Sequence, residues 1–156
     1  MSTTPEPLSQ SVIPHLVVRD AASAISFYVR AFGARELYRL TEPGGKVGHA
    51  ELQIGVSRFM LADEYPDFGA HSAATIGGSP VKLLVYVEDA DAVTRQALAA
   101  GATELRPVKQ QFHGDRSGMV LDPFGLSWTI ATRVEHVTPD EMQRRFSAVF
   151  GGQTTA

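Results

Sequence analysis

The sequence predicts an α+β fold: two tandem strand-helix-strand-strand-strand modules followed by a terminal helix. Three observations carry this. The first is an internal repeat. Val18, Asp20 and Ala21 recur as Val87, Asp89 and Ala90; after a one-residue slip, Gly33, Ala34, Glu36 and Leu37 recur as Gly101, Ala102, Glu104 and Leu105. Agreement of spacing and residue type over roughly twenty positions marks two copies of one supersecondary unit. The second is periodicity, which passes within each copy from the alternation of a strand to helical spacing and back. The third is size: 156 residues, 44% of them apolar and 20% charged, suit one soluble domain built from two half-size modules.

Val12–Val18 is the first strand, with Leu16 and Val18 on one face and His15 and Val17 on the other. Asp20 can cap a helix whose apolar positions are Ala21, Ala24, Ile25, Tyr28 and Phe32, and Gly33 suits its left-handed stop. Strands follow at Arg35–Thr41, Lys46–Ile54 and Arg58–Ala62, joined by the turns Pro43-Gly44-Gly45 and Gly55-Val56-Ser57. No Lys-Ser pair follows these glycines at phosphate-loop spacing, which argues against a nucleotide cradle.

Residues 64–80 lack periodicity and read as a linker or as a lid in which Tyr65, Phe68 and His71 could cover a ligand. The second module repeats the order over 81–133. Strands are expected at Val81–Val87, Ala102–Val108, Gly114–Leu121 and Leu126–Thr132, with a helix from Asp89 to Gly101 and a tight turn at Asp122-Pro123-Phe124-Gly125. Thr138-Pro139-Asp140-Glu141 is a capping box that opens a short terminal helix over 138–148. The organisation is therefore one domain over 11–150, with modules at 11–63 and 81–133, and disordered tails are expected at 1–10 and 151–156.

Composition narrows the function. A net charge of −3 without runs of like charge makes nucleic acid and anionic membrane poor partners. The chain has no cysteine, which excludes disulfides, thiolate metal sites and a cysteine nucleophile and fits a reducing compartment; a cytoplasmic location is expected. Met1 to Gln10 has neither a basic region nor an apolar core, so it does not read as a signal peptide or anchor.

In each module one sheet face must pack on its helix. The other face carries His15, His49, Glu51, Gln53, Arg58 and Met60 in module one, and Lys82, Leu84, Tyr86, Ser127, Thr129 and Ala131 in module two. Charge, aromatics and small residues together make poor core but suit a cavity that holds something partly polar. His49 and Glu51, two apart on one strand, share a face and form the candidate general acid/base pair, with a cavity-rim or dimer-contact pair as the bland alternative. Asp115 and Arg116 are adjacent on a strand, so at most one lines the cavity. Arg116 could clamp an anionic group or form a structural salt bridge. Trp128 shares its parity with Leu126 and Ile130 and is expected in the core.

Several phrases together resemble the vicinal oxygen chelate superfamily of glyoxalase, bleomycin-resistance and extradiol-dioxygenase proteins. They are Phe27-Tyr28 with Phe32-Gly33-Ala34, Gly48-His49-Ala50-Glu51-Leu52, Phe112-His113-Gly114-Asp115-Arg116-Ser117-Gly118, and Asp122-Pro123-Phe124-Gly125 with Trp128. The resemblance covers Val12 to Arg145 and implies a half-open, eight-stranded cup with a C-terminal helix. Metal-dependent members place four ligands in the cup, on the first and last strand of each module. By the repeat, those positions fall here on His15, Met60, Leu84 and Thr129. Met60 is a soft thioether, Leu84 has no donor and a neutral threonine is a weak ligand, so no metal and no other cofactor is expected. A rival cluster of His15, His49 and Glu51 offers three nitrogen and oxygen donors from nearby strands. A histidine that often follows the turn in the related branch is Leu126 here.

Two functions remain. One is a metal-free binder that sequesters a small, partly apolar molecule, in the manner that resemblance to bleomycin-resistance proteins implies, with His15, Arg58, Met60, Leu84, Tyr86, Thr129 and Arg116 as its contacts. The other is a lyase or isomerase in which His49, Glu51 or His15 moves a proton beside a carbonyl. A homodimer is expected for either, because the cup leaves sheet edges open. By parity, His15, Glu51, Met60, Leu84 and Thr129 are expected to surround one cavity.

Overall fold

Two aspartates begin the two long helices in the same way. In the computed structural model, which describes residues 10–151, the Asp20 carboxylate accepts a hydrogen bond from the Ser23 amide at 3.1 Å, and the Asp89 carboxylate accepts one from Ala92 at 3.0 Å. These caps satisfy amides that the first turn of a helix leaves without partners. Helix α1 then runs Ala21–Phe32 and stops at Gly33, whose φ of 67° is the left-handed conformation that glycine adopts without a steric penalty. The tails expected at the two ends lie outside the described residues, apart from Gln10 and Gly151.

Each helix crosses the full width of a sheet, so the strand after it lands on the far edge and the chain meanders back. Module one contains β1 (His15–Val18), β2 (Arg35–Thr41), β3 (Val47–Ile54) and β4 (Ser57–Asp63), in the order β1-β4-β3-β2. Module two contains β5 (Leu83–Tyr86), α3 (Ala90–Ala100), β6 (Thr103–Gln110), β7 (Asp115–Leu121) and β8 (Ser127–Arg133), in the order β5-β8-β7-β6. In both sheets the first strand pairs parallel with the last, and the other pairings are antiparallel. The eight strands thus form two sheets of four with open edges. A helix α4 (Pro139–Gly151) follows them, its Glu141 amide donating to the Thr138 hydroxyl at 3.3 Å.

The helix starts are tied to the sheets at equivalent places. Asp63, buried at the end of β4, accepts from the amides of Ala21 (2.9 Å) and Val47 (2.7 Å). Thr132 stands at the corresponding place in module two and accepts from the Ala90 amide at 2.8 Å.

The core joins the two modules through their helices. Tyr28 of α1 is fully buried among Phe27, Phe59, Phe124 and Trp128. Its hydroxyl donates to Asp122 at 2.6 Å. Asp122 also accepts from the Trp128 indole (3.0 Å) and from the amides of Phe124 (2.8 Å) and Leu126 (3.0 Å). Burial and then the Asp122 carboxylate push the Tyr28 hydroxyl well above its ordinary pKa, so it remains a donor.

The segment between the modules has more structure than its irregular sequence suggests. It forms a single 3-10 turn (Pro66–Phe68) and a short helix α2 (Ala73–Ile76) capped by Ser72. Glu64 organises it, accepting from the Ser72 amide at 2.9 Å and the Thr75 hydroxyl at 2.7 Å, with Arg19 alongside at 3.4 Å. The hydroxyl and amide donors hold the Glu64 carboxyl at about 2. Phe68 is 87% exposed, Tyr65 bonds Glu42 at 3.0 Å, and the segment lines none of the three cavities described below.

Candidate functional site

Strand register determines which side chains stand together on the sheet faces turned away from the helices. In the first sheet, His15 pairs with Met60, Met60 with Glu51 and Glu51 with Tyr38, giving one row across four strands. In the second, Leu84 pairs with Thr129, Thr129 with Met119 and Met119 with Arg106. The rows are equivalent under the repeat. Directly paired residues project to one face, so each row is a strip of the outer sheet surface.

Tyr38 and Arg106 reach these rows through β-bulges. Glu36 pairs with Leu52 and Tyr38 with Glu51, so one extra residue in β2 shifts Tyr38 from the core side to the outer side. The same shift occurs in β6 between Glu104 and Arg106. Simple alternation would have put both side chains on the helix side, and the sequence reading accordingly missed both.

Polar contacts in the first sheet run from His49 to Tyr38 and from Glu51 to Arg58. The His49 ring nitrogen lies 3.1 Å from the Tyr38 hydroxyl, and Glu51, 6% exposed, meets Arg58 at 3.4 Å. Burial and then hydrogen bonding to Glu51 raise the Tyr38 phenol above its usual pKa. The His15 and His49 rings meet edge-on at 5.5 Å. Burial, and secondarily the nearby His49, hold the His15 pKa below its ordinary value, so His15 is a neutral imidazole at pH 7.

The second sheet carries a tighter constellation. Asp115, 2% exposed, accepts from the Tyr86 hydroxyl at 2.8 Å and from Arg133 Nε at 2.8 Å, while Arg133 Nη2 donates to the Tyr86 hydroxyl at 2.6 Å. Burial pushes the Asp115 carboxyl up, but the donors from Arg133 and Tyr86 outweigh it and leave it below the usual range. The same bond to Asp115, and then burial, raise the Tyr86 phenol. Of the adjacent pair Asp115 and Arg116, it is Asp115 that stands on this face, not the Arg116 expected as a contact, and Arg133 was missed altogether. Arg116 turns to the helix side, where it forms a bidentate pair with Asp91 of α3 at 2.7 and 2.9 Å.

Three concavities border these faces. A cavity of about 850 Å³ lies between the β3–β4 hairpin and β5, with Arg58, Leu84 and Tyr86 in its wall. A second, about 720 Å³, is bordered by Tyr86 and Arg133. A third, about 420 Å³, contains Thr129, Met119 and Ser117. The fold therefore brings His15, Met60 and Glu51 side by side on one sheet, and Leu84 and Thr129 side by side on the other. Leu84 and Thr129 border different cavities, and His15, Glu51 and Met60 line none of these three.

The four positions where related metal sites place ligands offer poor donors here. His15 faces Met60 and Leu84 faces Thr129 in direct register, giving one imidazole, one thioether, one hydrocarbon and one neutral hydroxyl. That set does not fit a hard divalent ion. Among the described residues no three His, Cys, Asp or Glu side chains converge as ion ligands, and this includes His15, His49 and Glu51.

Comparison with known proteins agrees with this architecture. An uncharacterized protein of Mycobacterium bovis is 46% identical over 138 residues, 86% of this chain and 91% of that one. The crystallised gene product of Arabidopsis thaliana is 30% identical, with a TM-score of 0.62 over 80% of this chain and 99% of its own. TioX from Micromonospora sp. ML1 is 28% identical, with a TM-score of 0.63 over 81% of this chain and 100% of its own. Residues 11–130 match the Glyoxalase/Bleomycin resistance protein/Dioxygenase superfamily along both modules. By sequence, strand order and paired modules, the chain belongs to that superfamily.

Proposed function

We propose that this protein binds a small, partly apolar organic molecule on its outer sheet faces without a metal ion, as a sequestering or resistance protein. The observation that carries the reading is the exposure of large apolar side chains beside fixed polar groups. Leu84 and Tyr86 are 51% and 52% exposed, and with Arg58 they border the 850 Å³ cavity. A sheet face that is neither core nor uniformly polar has the composition of a ligand surface. The test is native mass spectrometry of the protein isolated from the cells that naturally make it. A stoichiometric small-molecule adduct is the expected result; a bare chain at every growth phase would remove the proposal's support.

A second reading, a lyase or isomerase, is favoured by one feature: His15 is a neutral imidazole beside His49, which is hydrogen-bonded to Tyr38. Such a group can take a proton from a carbon next to a carbonyl. Deuterium incorporation into hydroxyacetone from heavy water, lost in His15→Gln, is the outcome this reading requires. For either reading we propose that a second copy covers the open sheet edges, and a monomer mass in sedimentation at micromolar concentration would contradict that.

A further inference from the structure

We propose that Arg106 and Lys109 form an oxyanion-binding subsite on the outer face of the second sheet, so that the bound molecule carries a carboxylate or phosphate group. This deepens the small-molecule reading above and rests on it. Three independent observations lead there.

The first is register. Arg106 pairs with Met119, and Lys109 pairs with Ser117, which in turn pairs with Ala131; Tyr86 also pairs with Ala131. Residues three apart on a regular strand face opposite ways, yet these two cations face the same way. A second bulge, between Arg106 and Lys109, supplies the extra residue. Pro107 sits in it, where a missing amide donor costs no ladder bond, and Gly118 sits beneath it. A Cβ on Gly118 would come within 2.9 Å of the Arg106 carbonyl and the Val108 amide, so only glycine lets the bulge approach this closely.

The second is the surroundings. The 420 Å³ concavity takes in Arg106, Lys109, His113, Ser117, Met119 and Thr129, and no carboxylate lines it. Asp115, on the same face two residues before Ser117, lies 3.8 Å from the His113 ring but is already paired with Arg133. The third is that neither cation is neutralised. Arg58, Arg116 and Arg133 each reach a carboxylate, whereas Arg106 and Lys109 make no ion pair among the described residues.

The chemistry follows from these parts. A planar guanidinium beside an ammonium favours an oxyanion, the hydroxyls of Ser117 and Thr129 can donate to it, and Met119 offers an apolar contact for the body of the same molecule. Both cations stand on an edge strand, so methionine replacements keep the stems and remove only the charge.

The experiment is a titration followed by amide NMR with three probes of similar body: phenylphosphonate, benzoate and neutral benzyl alcohol. Saturable shifts at Ser117, Met119 and Thr129 are expected with one or both anions and absent with benzyl alcohol. Which anion binds more tightly separates phosphate-type from carboxylate ligands. The Arg106→Met/Lys109→Met variant should lose at least about tenfold in anion affinity while keeping its dispersed spectrum. Equal binding of benzyl alcohol, or unchanged anion affinity in the double variant, would overturn the subsite and leave the small-molecule reading standing. Failure of all three probes to bind would overturn the subsite as well, and the native adduct measurement would then judge the wider reading by itself.

Discussion

Replacing Gly118 with alanine tests whether the bulge in β6 depends on the missing side chain. The added Cβ meets the Arg106 carbonyl, the Val108 amide nitrogen and the Val108 Cγ2, each at 2.9 Å, and two of these are backbone atoms that cannot swing aside. Ordinary contact begins roughly half an ångström farther out, so β6 must move away from β7. Overpacking of this kind costs about 1–3 kcal/mol. For a chain of this length that corresponds to a fall in melting temperature of roughly 3–10 °C. Gly48 on β3 is the internal control, because its nearest neighbours to an added Cβ are 3.8 Å away. Neither glycine has a positive φ, so both substitutions gain the same ~0.4–1 kcal/mol through the unfolded chain. The difference between them isolates the contact. Scanning calorimetry of Gly118→Ala and Gly48→Ala should separate the two melting points by several degrees, with anion affinity reduced only in Gly118→Ala. Coincident melting points would refute the claim that the bulge needs glycine beneath it.

Three further outcomes are expected. Asp122→Ala strands two buried side-chain donors and two buried amides, at about 1–3 kcal/mol each, a loss comparable with the whole stability of a domain; Asp122→Asn keeps the amide contacts but replaces the acceptor shared by Tyr28 and Trp128 with a donor, which the Tyr28 hydroxyl can turn to accept and the Trp128 indole cannot, and should cost about 2–3 kcal/mol in urea unfolding. Because Glu64 titrates at about 2 in the folded chain and near 4.5 when unfolded, its contribution is complete above pH 4.5 and is lost as the pH falls toward 2; Glu64→Gln should therefore flatten the acid limb of stability against pH, and an unchanged limb would contradict the assignment. Elemental analysis of the purified protein should find no stoichiometric zinc, nickel, manganese or iron, given Met60, Leu84 and Thr129 at the related ligand positions, and about one tightly held ion per chain would overturn that expectation.

What the sequence disclosed was what local chemistry determines. Asp20 and Asp89 are strong caps, Gly33 and Gly101 are natural stops, and the alternation in β3 and β4 admits one register with Leu52 and Leu61 inside. The repeat supplied the rest of the topology, and parity placed His15, Met60, Leu84 and Thr129 in their rows. What escaped were the consequences of bulges and of long-range pairing. Tyr38 and Arg106 sit on the outer face only because β2 and β6 each break their alternation, whereas at Lys109 the two bulges of β6 cancel and leave it facing as its spacing from Thr103 predicts. A bulge is set by the partner strand, in β6 by Gly118 across the ladder, and neither strand announces it alone. Arg133 was hidden because its partner Asp115 is 18 residues away in the chain. β5 is shorter than its apolar run, Leu83–Tyr86 in place of Val81–Val87, because pairing with β8 begins only at Leu83 opposite Trp128. The terminal helix runs on to Gly151, past the expected 148.

The central claim is that the outer sheet faces are ligand surface and not unfilled core. Leu84 tests it most directly, since it is half exposed, pairs with Thr129 and borders the largest of the three cavities. The decisive measurement is ligand occupancy of Leu84→Arg by native mass spectrometry, read beside its urea midpoint. A charge on a solvent-facing wall should shift stability by no more than about 0.5 kcal/mol, so the account predicts a folded variant stripped of the adduct that the wild-type chain carries. A variant that unfolds at ordinary temperature, or one that keeps the adduct, would contradict it.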